Sequence, residues 1–316
     1  MKVKKLFFLI GMLCLNYMYS QAQFTLDTSY TVYSAYQKEI KKFPFIKIVK
    51  PQEFNNVIES KEIIYKEIGE RKLHLDAFLN TSEGMNPAVI LLHGGGWKSG
   101  NKSHMEPLAK SIASKGYSCF SIEYRLSPEA KFPAGIIDVK NAIQFIKDNA
   151  VQFKIDTSKV AILGCSSGGQ MAALVGATNN NSKFQNLNEN YKSSSTVQAV
   201  INLDGILAFK HPESKEGEVA GLWLGGTYEE VPEKWEEASA LFHTNQYSPP
   251  ILFINSQFER FHAGRDDMIQ LLNLYGIYNQ VETIENSPHT FWLFHPWYNK
   301  TVEYIVEFLN KIVKEN

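Results

Sequence analysis

The chain has 316 residues, 44% of them hydrophobic and 21% charged, with a formal net charge of −1. That is an ordinary globular composition, long enough for one sizeable core and too short to imply two large domains. A protein this close to neutrality has no long-range field to hold a polyanion, which argues against nucleic acid as the main partner.

In chain order, Lys2, Lys4 and Lys5 precede a short apolar run at 6–15, and Ser20-Gln21-Ala22 puts small residues where a signal peptidase reads. Residues 1–22 are therefore expected to be a cleaved signal peptide, leaving 23–316 as an exported domain, secreted or periplasmic. The run is short for a bilayer span, so no stable membrane insertion is expected after cleavage. Cys119 and Cys165 then remain. Both fall in expected buried strands that should not be neighbours, so they read as small buried hydrophobes rather than a disulfide.

Residues 23–60 form an N-terminal extension with a helical stretch at 33–42, stopped by Pro44. Strand-like runs at 62–68 and 72–79, joined by Gly69-Glu70, predict a hairpin. Pure apolar runs at 88–92 and 160–163 predict strands buried on both faces, and further strands are expected at 117–124, 197–203, 251–255 and 280–284. Helical patterns lie between them at 105–115, 136–153, 169–177 and 267–275, with a closing helix at 301–313. This alternation predicts an α/β fold: a mostly parallel central sheet, helices on both faces and the hairpin on one edge. Residues 206–248 do not fit the alternation and are expected to form a small cap. Ligands in such folds bind beyond the carboxyl ends of the strands.

The chemistry gathers there. Gly164-Cys165-Ser166-Ser167-Gly168 has the pattern G-x-S-x-G between a buried strand and a helix. A sharp strand-to-helix turn of this kind exposes a serine oxygen and needs glycines beside it, so Ser166 is the expected nucleophile. His93-Gly94-Gly95-Gly96-Trp97 ends the strand at 88–92. Consecutive glycines let backbone amides converge on one point, and Gly95, Gly96 and Ser167 are expected to form an oxyanion hole, with His93 bracing the loop. A serine needs a base, and His289 lies after the last strand and before the final helix, last in the order serine, acid, histidine. Glu259 is the first carboxylate past the strand at 251–255 and is taken as the acid. Asp204, Asp266 and Asp267 stay open as alternatives, the last two resembling a helix cap.

Four separate blocks, HGGGWKSGNK, IEYRLSPEAKFPAGIIDVKNAI, ILGCSSGGQMAAL and the late histidine, resemble the hormone-sensitive-lipase-like and carbohydrate-esterase branch of the α/β-hydrolases. The likeness spans roughly residues 60–312. It implies a cofactor-free serine esterase with Ser166 as nucleophile, His289 as base and Gly95, Gly96 and Ser167 as oxyanion donors. Asp138 matches a family aspartate and is read as structural. Where family members often read Asp-Pro-hydrophobic after the seventh strand, this chain has FERFHAGRDDM. That block, with PHTFWLFHPW, is similar to exported acetyl-xylan and pectin esterases of polysaccharide-degrading bacteria.

The expectation is thus an esterase acting through an acyl-enzyme, removing acetyl or methyl esters from a plant-type polysaccharide such as xylan or pectin. Trp97 and Trp292 are expected to bind sugar rings, as are Trp223 and Trp297 near the strand ends, and Arg260 and Arg265 a uronate carboxylate. No metal or other cofactor is implied, since no Cys/His cluster has ligand spacing. The rival readings are a general short-chain carboxylesterase on small esters, an exported serine peptidase and a binding protein that has lost catalysis.

Overall fold

Short apolar runs become the strands of an eight-stranded sheet in a computed structural model that describes residues 27–184 and 191–314. The expected leader at 1–22 lies outside the described residues. Thr31 and Ser34 exchange side-chain-to-backbone hydrogen bonds and so start α1 (Val32–Glu39). A two-residue strand, β1 (Lys47–Ile48), follows. β2 (Val57–Ile68) and β3 (Arg71–Asn80) are the expected hairpin, β2 starting ahead of the predicted 62. Next come β4 (Asn86–Leu92), α2 (Glu106–Ala113) and β5 (Ser118–Ile122). The helix predicted at 136–153 is two, α3 (Ala134–Asp148) and α4 (Ala150–Phe153). Asn149 separates them, its side-chain amide donating to the Phe145 carbonyl, a local bond that competes with helix continuation.

β6 (Ile155–Cys165) runs directly into α5 (Ser167–Ala177), and β7 (Ala199–Leu203) follows. The segment expected as a cap holds α6 (Gly217–Leu224), α7 (Pro232–Glu237) and α8 (Ala240–His243). Its Trp223 and Trp235 are buried in the same cluster as α3 and α5, so the segment is welded to the core. The chain ends with β8 (Ile251–Asn255), α9 (Arg265–Leu274), β9 (Asn279–Thr283), β10 (Phe294–His295) and α10 (Trp297–Leu309).

The strand order is β2-β3-β5-β4-β6-β7-β8-β9. β2, β3 and β5 pair antiparallel and every other pairing is parallel. Side chains alternate across the sheet, so Ile90 and Leu92 of β4 enter the cluster under α3 and α5, while Val89 and Leu91 enter the one under α2 and α10. Two apolar layers on one sheet fix β4, β6, β7 and β8 rigidly, and the site is built at their carboxyl ends. β1 pairs antiparallel with β10, which ties the N-terminal extension to the loop carrying His289. Cys119 on β5 and Cys165 on β6 are free and buried, with β4 between their strands.

Candidate active site

Residue 166 sits where the chain must stop being a strand and start being a helix within one residue. Its backbone has φ 55° and ψ −122°, a region that side chains other than glycine's rarely adopt. The turn is held by the Ser166 amide donating to the Leu203 carbonyl at 2.8 Å and the Gln170 amide donating to the Ser166 carbonyl at 3.0 Å. Two glycines make it sterically possible. A Cβ on Gly164 would lie 1.9 Å from the Gly168 carbonyl oxygen, and one on Gly168 would lie 2.4 Å from that of His93. Both obstacles are backbone and cannot swing aside.

The turn presents Ser166 Oγ to His289 Nε2 at 2.8 Å, and His289 Nδ1 lies 2.9 Å from Asp204 Oδ2. An ionised carboxylate can only accept, so Nδ1 carries the proton and donates it to Asp204. Nε2 is left with its lone pair toward the serine hydroxyl, the tautomer that general-base chemistry requires. Asp204 is fully buried and collects further donors: the Ser256 amide at 2.8 Å, the Ser256 hydroxyl and Asn255 Nδ2 at 3.3 Å.

The carboxylate on His289 is therefore Asp204, and the expectation for Glu259 is overturned. β7 and β8 are neighbours, with Leu203 opposite Ile254, so Asp204 stands beside Asn255 and Ser256 at the same edge. The end of β8 supplies hydrogen-bond donors to the acid, not the acid itself. By Glu259 the chain has turned outward, and that residue is exposed, its side chain without a hydrogen bond or ion pair among the described residues. Asp266 and Asp267 are exposed at the start of α9, bonded to Arg265 and His211 respectively.

The glycine loop after β4 closes the other side. A Cβ on Gly94 would lie 2.8 Å from the Cys165 carbonyl oxygen, so the loop is pressed against the turn. Gly95 has φ 135° and Gly96 φ 62°, and the Ser99 amide donates to the Gly95 carbonyl at 3.1 Å. The amides of Gly95, Gly96 and Ser167 donate no hydrogen bond within the described residues. Gly96 and Ser167 line a cavity of about 30 Å3 together with Ser166; Gly95 does not. His93 braces the loop. Its ring stacks on Tyr124 at 4.5 Å, the Tyr124 hydroxyl donates to its carbonyl at 2.6 Å, and burial pushes the imidazole down to about 4, so it is neutral.

Of the residues expected to bind sugar, Trp97 lines the cavity at Ser166, while Arg260, Arg265 and Trp292 are not among its lining residues. Trp97 is buried, stacks on Trp223 at 5.3 Å and donates from Nε1 to Gln170 Oε1 at 2.9 Å. Trp292 is buried with its ring edge-on to His289 at 5.4 Å, and Trp297 packs edge-on against Phe43. Arg260 lies 3.8 Å from Glu216 and over the Phe261 ring at 4.2 Å; Arg265 bonds Asn255 and Asp266. Trp97 and Trp292 are buried, and the Arg265 guanidinium is hydrogen-bonded within the protein, whereas Arg260 is exposed and meets Glu216 only at ion-pair distance. Two residues enter the site that the sequence did not mark. Phe261 stacks on the His289 ring at 3.5 Å and 11°, and Glu216 lines the cavity beside Ser166. No motif announces either one. A depression of about 1110 Å3 beside α6 is lined by none of Ser166, His289 and Asp204. Among the described residues no group of His, Cys, Asp and Glu is arranged to hold a metal.

The strand order, the turn at Ser166 and the Ser166–His289–Asp204 chain of contacts place the molecule among the α/β-hydrolases by fold. More narrowly, the chain belongs to the BD-FAE family, whose model matches residues 75–263. The matched span contains Ser166 and Asp204 and stops short of His289. Esterase LipC of Mycobacterium tuberculosis is 28% identical over 208 residues, covering 64% of this chain and 49% of the relative. The probable carboxylic ester hydrolase LipM of the same organism is 27% identical over 236 residues, 72% of this chain and 52% of the relative. The chain thus spans about half the length of these two relatives. Among solved structures, a truncated carbohydrate esterase from gut microbiota superposes with TM-score 0.71 at 21% identity, over 84% of this chain and all of the other. A bifunctional GH43-CE protein of Bacteroides eggerthii matches with TM-score 0.67 at 25% identity, over 80% of this chain and 38% of the other.

Proposed function

We propose that the protein is a serine carboxylic-ester hydrolase that removes a short acyl group from a carbohydrate through an acyl-enzyme. The observation that carries the reading is the unbroken contact from Ser166 Oγ through His289 to Asp204, with distances of 2.8 and 2.9 Å. Ser166 Oγ attacks the ester carbonyl carbon while His289 Nε2 takes its proton. Asp204 stabilises the resulting imidazolium. The carbonyl oxygen becomes an oxyanion and accepts from the amides of Gly96 and Ser167. His289 then gives its proton to the departing alcohol oxygen. Water, deprotonated by the same imidazole, attacks the acyl-enzyme and frees the acid and Ser166.

A short acyl group is supported by the size of the cavity at Ser166, about 30 Å3, which has no room for a fatty chain. The carbohydrate half is supported by the GH43-CE relative. The hydrogen bonds of Arg265 to Asn255 and Asp266 occupy one of the two arginines that could hold a uronate, which favours a neutral sugar ester, as in acetylated xylan, over pectin. Action outside the cytoplasm is part of the proposal and is supported by Lys2, Lys4 and Lys5 ahead of the apolar run at 6–15. The test is a panel of p-nitrophenyl acetate, butyrate and octanoate beside acetylated xylan and acetylated pectin. The acetate and acetylated xylan are expected to turn over fastest. A preference for the octanoate would overturn the short-acyl reading, and no hydrolysis of any ester would overturn the whole.

A further inference from the structure

Glu216 has no part in the hydrolysis just described, yet it lines the cavity beside the nucleophile. Its backbone is fixed as the residue before α6, its carbonyl accepting from the Ala220 amide at 2.9 Å. Its Oε1 atom is buried and accepts no hydrogen bond among the described residues. The nearest cation is Arg260, whose Nη2 lies 3.8 Å away, an ion-pair distance too long for a hydrogen bond. Arg260 is held there because its guanidinium covers Phe261, which in turn covers His289. A buried carboxylate oxygen without a donor is unfavourable, and such an atom in a reactive cleft calls for one from outside.

We propose that Glu216 is the specificity-determining residue of the site, accepting a hydrogen bond from a hydroxyl in the alcohol half of the ester. This deepens the ester-hydrolase reading above and rests on it. A carboxylate can only accept, so its partner must be a donor. Glu216 and Arg260 together are neutral, and an ammonium or a carboxylate entering between them would meet a like charge. A hydroxyl meets neither objection. An alcohol half with no hydroxyl beyond the esterified one, such as nitrophenol, would bury Glu216 further and leave it unmet. A uronate would set its carboxylate beside both Glu216 and Asp204, which also borders the cavity. The site therefore discriminates among esters by what the alcohol carries next to the scissile bond. A polar group left unpaired in one complex and paired in the other is the strongest form of such discrimination.

The experiment compares kcat/KM on methyl 2-O-acetyl-β-xyloside, the matching acetylated galacturonoside and p-nitrophenyl acetate, for the wild type, Glu216→Ala and Glu216→Gln. In Glu216→Ala the ratio of xyloside acetate to p-nitrophenyl acetate is expected to fall by about tenfold. Glu216→Gln keeps an acceptor oxygen and should fall less, while gaining on the galacturonoside relative to the xyloside. Equal losses on all three esters, or a ratio within about twofold of wild type in both variants, would overturn the proposal. So would a wild type that cleaves p-nitrophenyl acetate but not the xyloside acetate. In each of these cases the ester-hydrolase reading stands. A wild type that cleaves none of the three removes both.

Discussion

Asp138 and Asp204 are both fully buried, and the regions around them use that burial in opposite ways. Asp138 lies in α3 beneath the hairpin flank. Arg125 grips it through Nε at 2.8 Å, Nη2 at 2.9 Å and its own amide at 3.1 Å, and Lys66 stands 3.2 Å away. Two cations more than cancel its charge, and the carboxylate is a strut joining β2, the chain after β5 and α3. Asp204, at the carboxyl end of the sheet, is held by an amide, a hydroxyl and a carboxamide, all neutral. Its charge is stabilised but not cancelled. That leaves it free to answer the transient positive charge that the proposed reaction places on His289 as the serine loses its proton. Fixing a carboxylate with cations gives stability, and fixing it with neutral donors keeps its charge in use.

The largest effect that sharpens this contrast is at the partner of the His289 chain. Ser166→Ala should lower kcat by about 10^5- to 10^6-fold with an unchanged urea midpoint. Measurable loss of stability without loss of turnover would place Ser166 with the struts. Asp204→Asn keeps the shape but reverses the hydrogen bond that sets the imidazole tautomer, and kcat should drop by about 10^4-fold. Glu259→Gln, assayed beside it, should leave kcat unchanged; the opposite ranking of the two would return the acid to the loop after β8. Asp138→Asn should do the reverse of Asp204→Asn. It removes the carboxylate charge that the Arg125 guanidinium grips and should destabilise by about 3–5 kcal/mol in urea unfolding, while kcat per folded molecule stays near wild type.

The smallest effect concerns a buried cation that has only a neutral partner. Lys140 is 1% exposed and donates to the Thr178 carbonyl at 2.6 Å, with no carboxylate in ion-pair reach among the described residues. Burial pushes its ammonium down from 10.5 to about 8. Between those values the unfolded chain binds more protons than the folded one, so stability rises with pH across that window. Below pH 8 the charged form opposes folding. Lys140→Met should therefore stabilise at pH 7 by about 1–3 kcal/mol, and the advantage should shrink as pH approaches 10. An advantage that stays constant from pH 7 to 10 would show that Lys140 is not desolvated as the fold indicates.

The reach of the sequence follows the range of the interactions. Ser166 could be read because its whole context, strand, turn and helix, lies within a few residues. His289 could be read from its place after the last strand. The sheet was legible for the same reason: β4 and β8 carry the unbroken apolar runs 88–92 and 251–254. The acid was not legible. β7 and β8 both end at the same edge, and only their pairing decides which of two carboxylates faces the histidine. The packing of the tryptophans and arginines was not legible for a related reason. Trp97 stacks on Trp223 and Arg265 bonds Asn255, contacts that no local pattern announces. β1 and β10, two residues each, have no periodicity to detect.

The backbone at Ser166, with φ 55° and ψ −122°, is under strain whether or not a substrate is present. Replacing the serine by glycine would relieve it, for a net gain on the order of 1 kcal/mol after the greater freedom of an unfolded glycine is counted. Every copy of the protein thus stands slightly below the stability open to it by one substitution. A lineage released from the need for turnover would have a downhill route to glycine at this position, and the same step would erase its chemistry. Loss of the proposed chemistry by that substitution would leave a sturdier molecule.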